Sequence, residues 1–130
     1  SISKGFLILL GIENNDTLDD VNWLIKKIIN LRIFSDLDGK MNNSILDVNG
    51  DIIVVSQFTL YANTKKGNRP SYINAAPPKI AIPLYENFVQ ILKNKSKLNV
   101  LTGEFGADMK VSLINDGPVT IIIDSKNRDF

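Results

Sequence analysis

Two short segments carry the side chains best placed for chemistry. Ser56-Gln57-Phe58-Thr59-Leu60 closes a strongly apolar run with three polar residues. A Gln amide and backbone N–H groups at a strand exit can hold a carbonyl or an oxyanion. The same hydroxyls, of Ser56 and Thr59, can equally satisfy local backbone groups as the chain turns. The second segment is Asn115-Asp116-Gly117-Pro118-Val119-Thr120. Gly-Pro joins a flexible residue to one of fixed φ, and X-Pro is where cis bonds concentrate. A cis turn would aim two carbonyls in one direction; an ordinary turn fits the same residues. Thr120 offers a hydroxyl, but a hydroxyl nucleophile needs an activating base, and none lies near it in sequence.

Composition narrows the chemistry. The 130 residues include no Cys and no His. That removes thiolate nucleophiles, zinc-thiolate sites, disulfides and Ser-His-Asp catalysis from these residues. It also removes the side chain whose unperturbed pKa lies nearest neutrality. An enzyme built from this chain takes its general base from a perturbed Asp, Glu or Lys, or from outside the protein. No cofactor fingerprint and no metal cluster stands out, so neither is expected. Asp36-Leu37-Asp38-Gly39 resembles a calcium loop, but Met41 and Asp47 occupy the positions where an EF-hand needs Gly and Glu, so a polar turn is expected.

Net charge is +1. Its distribution is uneven, for between residues 60 and 103 seven basic residues face a single acidic one, Glu86. A basic middle third suits a polyanion footprint or a solvated helix face with a polar loop. No stretch reaches the ~20 apolar residues that span a bilayer. The given residues hold no signal-peptide pattern, and with no Cys the cytoplasm is the default location. Ser1 is followed almost at once by the apolar run 4–12, which reads like a chain entered partway.

The elements that must position the two segments follow from periodicity. Gly5–Ile12 is uniformly apolar and reads as a strand buried on both faces. Asp16 is the expected cap of a helix whose stripe is Leu18, Val21, Ile25, Ile28 and Leu31–Ile33. Asn49-Gly50 between Ser44–Val48 and Asp51–Phe58 predicts a type I′ hairpin. Residues 62–78 form a long polar loop. A second helix is expected over about Ile80–Lys95, with Pro83 in its first turn. Asn99–Thr102, Met109–Ile114 and Val119–Asp124 read as further strands. The pattern predicts a single α/β domain of α+β type: a largely antiparallel, barrel-like sheet covered by two main helices.

In this order the motifs resemble those of the D-aminoacyl-tRNA deacylases of the bacterial and eukaryotic type. The resemblance runs through Lys4–Ile12, Leu31–Phe34, Asp38–Asn42, Val54–Leu60, Arg69-Pro70-Ser71, Leu84-Tyr85, Thr102-Gly103, Met109 and Ser112–Thr120. Its most specific part is Ser-Gln-x-x-Leu followed by Asn-x-Gly-Pro-x-Thr. Family members begin with a further strand, bearing an Arg that supports the Gly-Pro turn, and its hairpin partner, about twenty residues together. Such a segment is expected to precede this chain.

The resemblance implies a homodimer with active sites at the subunit interface, acting on the acceptor end of a tRNA charged with a D-amino acid. It implies no cofactor. It places Ser56, Gln57, Phe58 and Thr59 along the pocket, with the backbone N–H near Phe58 facing the ester carbonyl. It places Gly117 and Pro118 in a cis turn that enters the partner's pocket, Asn115 beside that turn, and Met109 against the terminal adenine. Thr59 and Thr120 are the candidate nucleophiles by position; attack by water aided by the substrate's 2′-OH is the preferred alternative. Lys65, Lys66 and Arg69, with the lysines at 93–97, become acceptor-stem contacts. Two other readings remain: a non-catalytic dimer that binds tRNA ends or another ligand, and a hydrolase of small D-amino acid esters.

Overall fold

The computed structural model describes residues 1–129. Its centre is a three-stranded sheet of β1 (Gly5–Leu10), β4 (Asp51–Ser56) and β5 (Val100–Thr102), in the order β1-β4-β5. β1 runs parallel to β4 from Gly5↔Asp51 to Leu10↔Ser56, and β5 parallel to β4 from Ile52↔Val100 to Val54↔Thr102. The expected antiparallel, barrel-like sheet is therefore corrected: the main sheet is parallel, and among the described residues no barrel closes. The cause is connectivity. Strands joined through a packed helix return in the same direction, and here α1 (Leu18–Asn30) lies between β1 and β4, and α3 (Pro78–Ser96) between β4 and β5. The antiparallel pairing is confined to β2 (Phe34–Ser35) with β3 (Met41–Asn43), besides isolated bridges.

The core lies between this sheet and the α1–α3 pair. Ile52 and Val54 of β4 are fully buried with Ile25, Ile45, Phe88 and Leu92. Alternation along β4 sends Ile52 and Val54 to one face. Val21, Ile25 and Ile28 recur at helical spacing on α1, and Ala81, Tyr85, Phe88 and Leu92 on α3. Tyr85 also donates a 3.0 Å hydrogen bond from its hydroxyl to the Val54 carbonyl, tying α3 to the centre of the sheet. β1 is an edge strand, not doubly buried as expected, and Leu9 stands 44% exposed.

Local chemistry explains the other departures. Ser44–Val48 is not a hairpin arm but leads into the short helix α2 (Ile45–Val48). Ser44 and Asp47 form a capping box, with Asp47 N–H donating to Ser44 Oγ at 3.2 Å and Ser44 N–H to Asp47 Oδ2 at 2.9 Å. Asn49 then takes the left-handed conformation, φ 52°, that ends a helix, so Asn-Gly works as a stop signal and not as a type I′ turn. At α1 the N-cap is Thr17, not Asp16, with Asp20 Oδ2 accepting from Thr17 N–H at 2.9 Å. α3 begins at Pro78, which puts Pro83 in the second turn, where it has no N–H for the Lys79 carbonyl. Asp36 Oδ1 accepts from the N–H groups of Asp38 and Lys40, both at 2.9 Å, closing the polar turn.

The expected strands Met109–Ile114 and Val119–Asp124 have no ladder in the described residues. Their apolar side chains, Val111, Leu113, Ile114, Ile121 and Ile122, are exposed. Alternating apolar residues favour a strand only where a neighbouring strand supplies the bonds, and none lies beside them here.

Candidate functional site

The parallel sheet decides where the first motif lies. In open parallel sheets ligands gather beyond the carboxyl ends of the strands. Ser56 is the last residue of β4, and Gln57 N–H donates to the Leu10 carbonyl at 2.8 Å, extending the β1 pairing by one step. A 3-10 turn over Phe58–Tyr61 follows. Helical turns leave their first N–H groups without an internal acceptor, and those of Phe58 and Thr59 have no partner among the described residues. The side chain of Gln57 donates from Nε2 to Thr59 Oγ1. Phe58 is 56% exposed and meets Tyr72 edge-on, ring centroids 5.0 Å apart. Backbone donors and an exposed aromatic thus share the mouth of the sheet.

Behind this turn the chain is tightly fitted. A Cβ on Gly11 would come within 3.0 Å of Tyr61 Cε2 and 3.2 Å of Leu60 Cβ, so Gly11 lets the turn lie against the end of β1. Burial raises the Tyr61 hydroxyl well above its ordinary range, helped by the nearby carboxylates of Asp16, Glu13, Asp124 and Asp20. Tyr61 is thus a neutral packing element at physiological pH.

The second motif is a braced turn. The Gly117–Pro118 peptide bond is cis. Asn115 spans it: Oδ1 accepts from Val119 N–H at 2.9 Å, and Nδ2 donates to Thr120 Oγ1 at 2.9 Å. Since the backbone N–H fixes which end of the amide is oxygen, Thr120 must receive a hydrogen from Asn115. Gly117 has φ 136°, and a Cβ there would sit 2.8 Å from Val119 Cγ2. Asn115, Gly117, Pro118 and Thr120 are all exposed.

Met109 is half-buried against β5. Its Sδ lies where a Cβ on Gly103 would come within 2.5 Å, with Val55 on the far side. Glycine at 103 is what lets the thioether reach the sheet end. Residues 63–71 form a small hairpin closed by Asn63 and Ser71, whose backbones exchange hydrogen bonds of 2.7 and 2.9 Å. It presents Lys65, Lys66 and Arg69 to solvent, and none has an ion-pair partner among the described residues.

Within one chain, then, the structure joins Gln57 to Thr59 and Asn115 to Thr120. Among the described residues no hydrogen bond or ion pair joins the two motifs to each other. Each threonine oxygen accepts from an amide, and neither bonds to a carboxylate or amine. Such donors draw electron density from the hydroxyl, the reverse of activation. Two positions escaped the sequence reading: Tyr72 beside Phe58, and Lys126, which pairs with Asp20 across the fold at 2.9 Å. Gly103, read there only within the Thr102-Gly103 pair, lies beneath Met109.

Comparison with known proteins now bears on this geometry. The family model of the D-Tyr-tRNA(Tyr) deacylases matches residues 1–124. This chain belongs to the D-aminoacyl-tRNA deacylase family. A relative of that name from Flavobacterium psychrophilum is 67% identical over 128 residues, covering 98% of this chain and 85% of its own. Among solved structures, the c-Myc DNA Unwinding Element Binding Protein superposes with a TM-score of 0.85 at 41% identity, covering 92% of this chain and 81% of its own. A second, described as a probable eukaryotic D-amino acid tRNA deacylase, reaches 0.70 at 14% identity over 82% and 77% of the two chains, and shares the mixed α/β fold. No helix of the described residues is long and apolar enough to cross a membrane.

Proposed function

We propose that this chain hydrolyses D-aminoacyl-tRNA, releasing a free D-amino acid and tRNA, as a cytoplasmic homodimer that proofreads chirality in translation. The observation that carries the reading is the Gly117-Pro118 turn braced by Asn115, retained in a family member together with the free N–H groups after β4.

The ester joins the amino acid to the ribose of the terminal adenosine. Its carbonyl oxygen sits against the Phe58 N–H, which stabilises the negative charge that develops as the carbonyl carbon becomes tetrahedral. Water attacks that carbon, and the neighbouring 2′-OH of the ribose helps move the proton. The acyl–oxygen bond then breaks, and the ribose oxygen leaves with a proton. Gln57, Thr59 and Thr120 orient the reactants through hydrogen bonds, with Ser56 alongside at the strand end. In this reading neither threonine is the nucleophile, since among the described residues no carboxylate or amine bonds to either hydroxyl.

Selection works by exclusion. The carbonyls at Gly117 and Pro118 face the Cα of the bound residue and accept from its ammonium. A D side chain points away from them and an L side chain collides. Glycine has nothing to collide and passes the filter. Met109 caps the terminal adenine with an apolar, polarizable surface. Lys65, Lys66 and Arg69, with the lysines 93–97, neutralise phosphates of the acceptor stem.

Two observations support the dimer. Among the described residues no hydrogen bond or ion pair joins the two motifs within one chain, which fits a site that draws them from two chains. The exposed Val111, Leu113, Ile114, Ile121 and Ile122 flank the Gly117-Pro118 turn and supply the apolar surface a partner would cover.

A second reading is favoured by the structural likeness to a protein named for DNA binding. In it the basic hairpin and Phe58 hold a nucleic-acid end without chemistry. Incubation with D-tyrosyl-tRNA separates the two. Multiple turnovers of released D-tyrosine are expected, and stoichiometric binding without release would replace the enzyme reading with the second one. D-tyrosine methyl ester resists the protein in this account; its equally fast hydrolysis would remove the RNA from the mechanism. Replacing the terminal 2′-OH by hydrogen should nearly abolish turnover, and an unchanged rate would reject the ribose-assisted step.

A further inference from the structure

The arm from Ala107 to Ile122 carries Met109, Asn115, Gly117, Pro118 and Thr120, yet among the described residues no strand ladder ties it to the sheet. It is held at its ends. Before it, Phe105 packs on Tyr85 with ring centroids 5.8 Å apart, and Met109 follows against Gly103. After it, Ile123 packs against the core and Lys126 reaches the first turn of α1. Lys126 Nζ lies 2.9 Å from Asp20 Oδ2, 3.1 Å from the Asn15 carbonyl and 3.8 Å from Asp16 Oδ1. Arg128 continues the attachment, its Nη2 3.0 Å from Asp19 Oδ2 and its guanidinium 4.7 Å over the Trp23 ring.

The carboxylates beneath Lys126 are shielded, with 10% of the Asp16 side chain exposed and 7% of that of Asp20. Among the described residues Asp16 Oδ1 has no hydrogen-bond partner. Two adjacent shielded carboxylates repel each other unless a cation is placed between them, and Lys126 is that cation. Burial works against the Asp20 charge, but Lys126, the Thr17 N–H and Ser125 outweigh it and hold its pKa at about 2. Burial raises that of Asp16. Asp16, Asp20 and Gly11 line one small crevice. Gly11 is the residue against which Tyr61, the end of the Phe58–Tyr61 turn, is seated. The attachment of the arm and the seating of the catalytic turn thus share one corner of the fold.

We infer that Lys126 is a positioning residue, clamping the end of the arm onto Asp20 and Asp16 and so fixing where Thr120 and the Gly117-Pro118 turn are presented. The inference rests on the deacylase reading above. It predicts that the clamp governs stereochemical selection, and not the grip on RNA, because the arm carries the filter while the cationic hairpin lies elsewhere.

The test is steady-state deacylation of D- and L-tyrosyl-tRNA by the full chain, with thermal unfolding of each variant. Lys126→Met should lower kcat on the D-substrate by roughly 10- to 100-fold, the scale of a ~1 Å misplacement, with KM nearly unchanged and the D-to-L ratio narrowed. Lys126→Arg restores both. If Lys126→Met does not fold, Lys126→Gln takes its place, keeping a donor without the charge. A wild-type kcat and ratio in either neutral variant would overturn the inference. So would an equal loss on both stereoisomers, which is what a smaller folded fraction produces. An active, selective wild type with unaltered variants defeats the clamp alone; a wild type inactive on D-tyrosyl-tRNA defeats the deacylase reading and the clamp with it.

Discussion

At the scale of single residues, the hydrogen-bond partners of the two candidate nucleophiles favour the proposed attack by water. Thr59 and Thr120 sit in the two motifs, but each accepts from an amide, Gln57 Nε2 and Asn115 Nδ2 respectively. An amide has no basicity with which to take a hydroxyl proton. With no His or Cys in the chain, the proposal takes the proton's path through the substrate's own ribose. Thr59→Ala and Thr120→Ala should each reduce kcat by under about tenfold, whereas loss of a committed nucleophile costs on the order of 10⁶-fold. Single-turnover rates on D-tyrosyl-tRNA check this, and a dead Thr120→Ala with a normal fold would return the hydroxyl to the role of attacker.

At the scale of elements, packing decides which local signals prevail. Helix α3 carries Tyr85 and Phe88 into the space above β4, and Phe88 is fully buried. Phe88→Ala should destabilise the fold by about 3–5 kcal/mol, read from chemical denaturation. The three- and four-residue recurrence on α1 and α3 made both helices legible, because an apolar stripe with polar flanks has few other solutions. Strand direction was not legible in the same way, since pairing partners are set by crossovers that local alternation does not encode. Asn49-Gly50 shows the limit most clearly. The pair suits a hairpin or a helix stop, and the Ser44–Asp47 capping box just before it selects the stop. The site was legible as two motifs, but not as a geometry: the Asp20–Lys126 contact spans 106 positions, and no spacing rule reaches that far.

At the scale of the whole molecule, charge and exposure divide the surface between two tasks. The cationic hairpin 63–71 and the aromatic Phe58 suit a nucleic-acid end, while the apolar arm around Gly117-Pro118 suits a second copy of the chain. Neutralising Lys65, Lys66 and Arg69 together to Gln should raise KM for the tRNA and flatten its dependence on salt by roughly one unit of slope per lost phosphate contact, leaving kcat in place. KM measured across a salt series checks this; a fall in kcat instead would move the hairpin from RNA grip to chemistry. The absence of His and Cys fits this division, because a geometric filter and a borrowed hydroxyl need neither. The central claim is stereochemical exclusion by the braced turn, and the most direct measurement is the ratio of kcat/KM for D- and L-tyrosyl esters on the same tRNA. The account predicts at least about 10³-fold preference for the D-form, the scale expected when the wrong isomer meets a steric clash and unpaired polar groups. A ratio near one, with both esters cleaved, would contradict it.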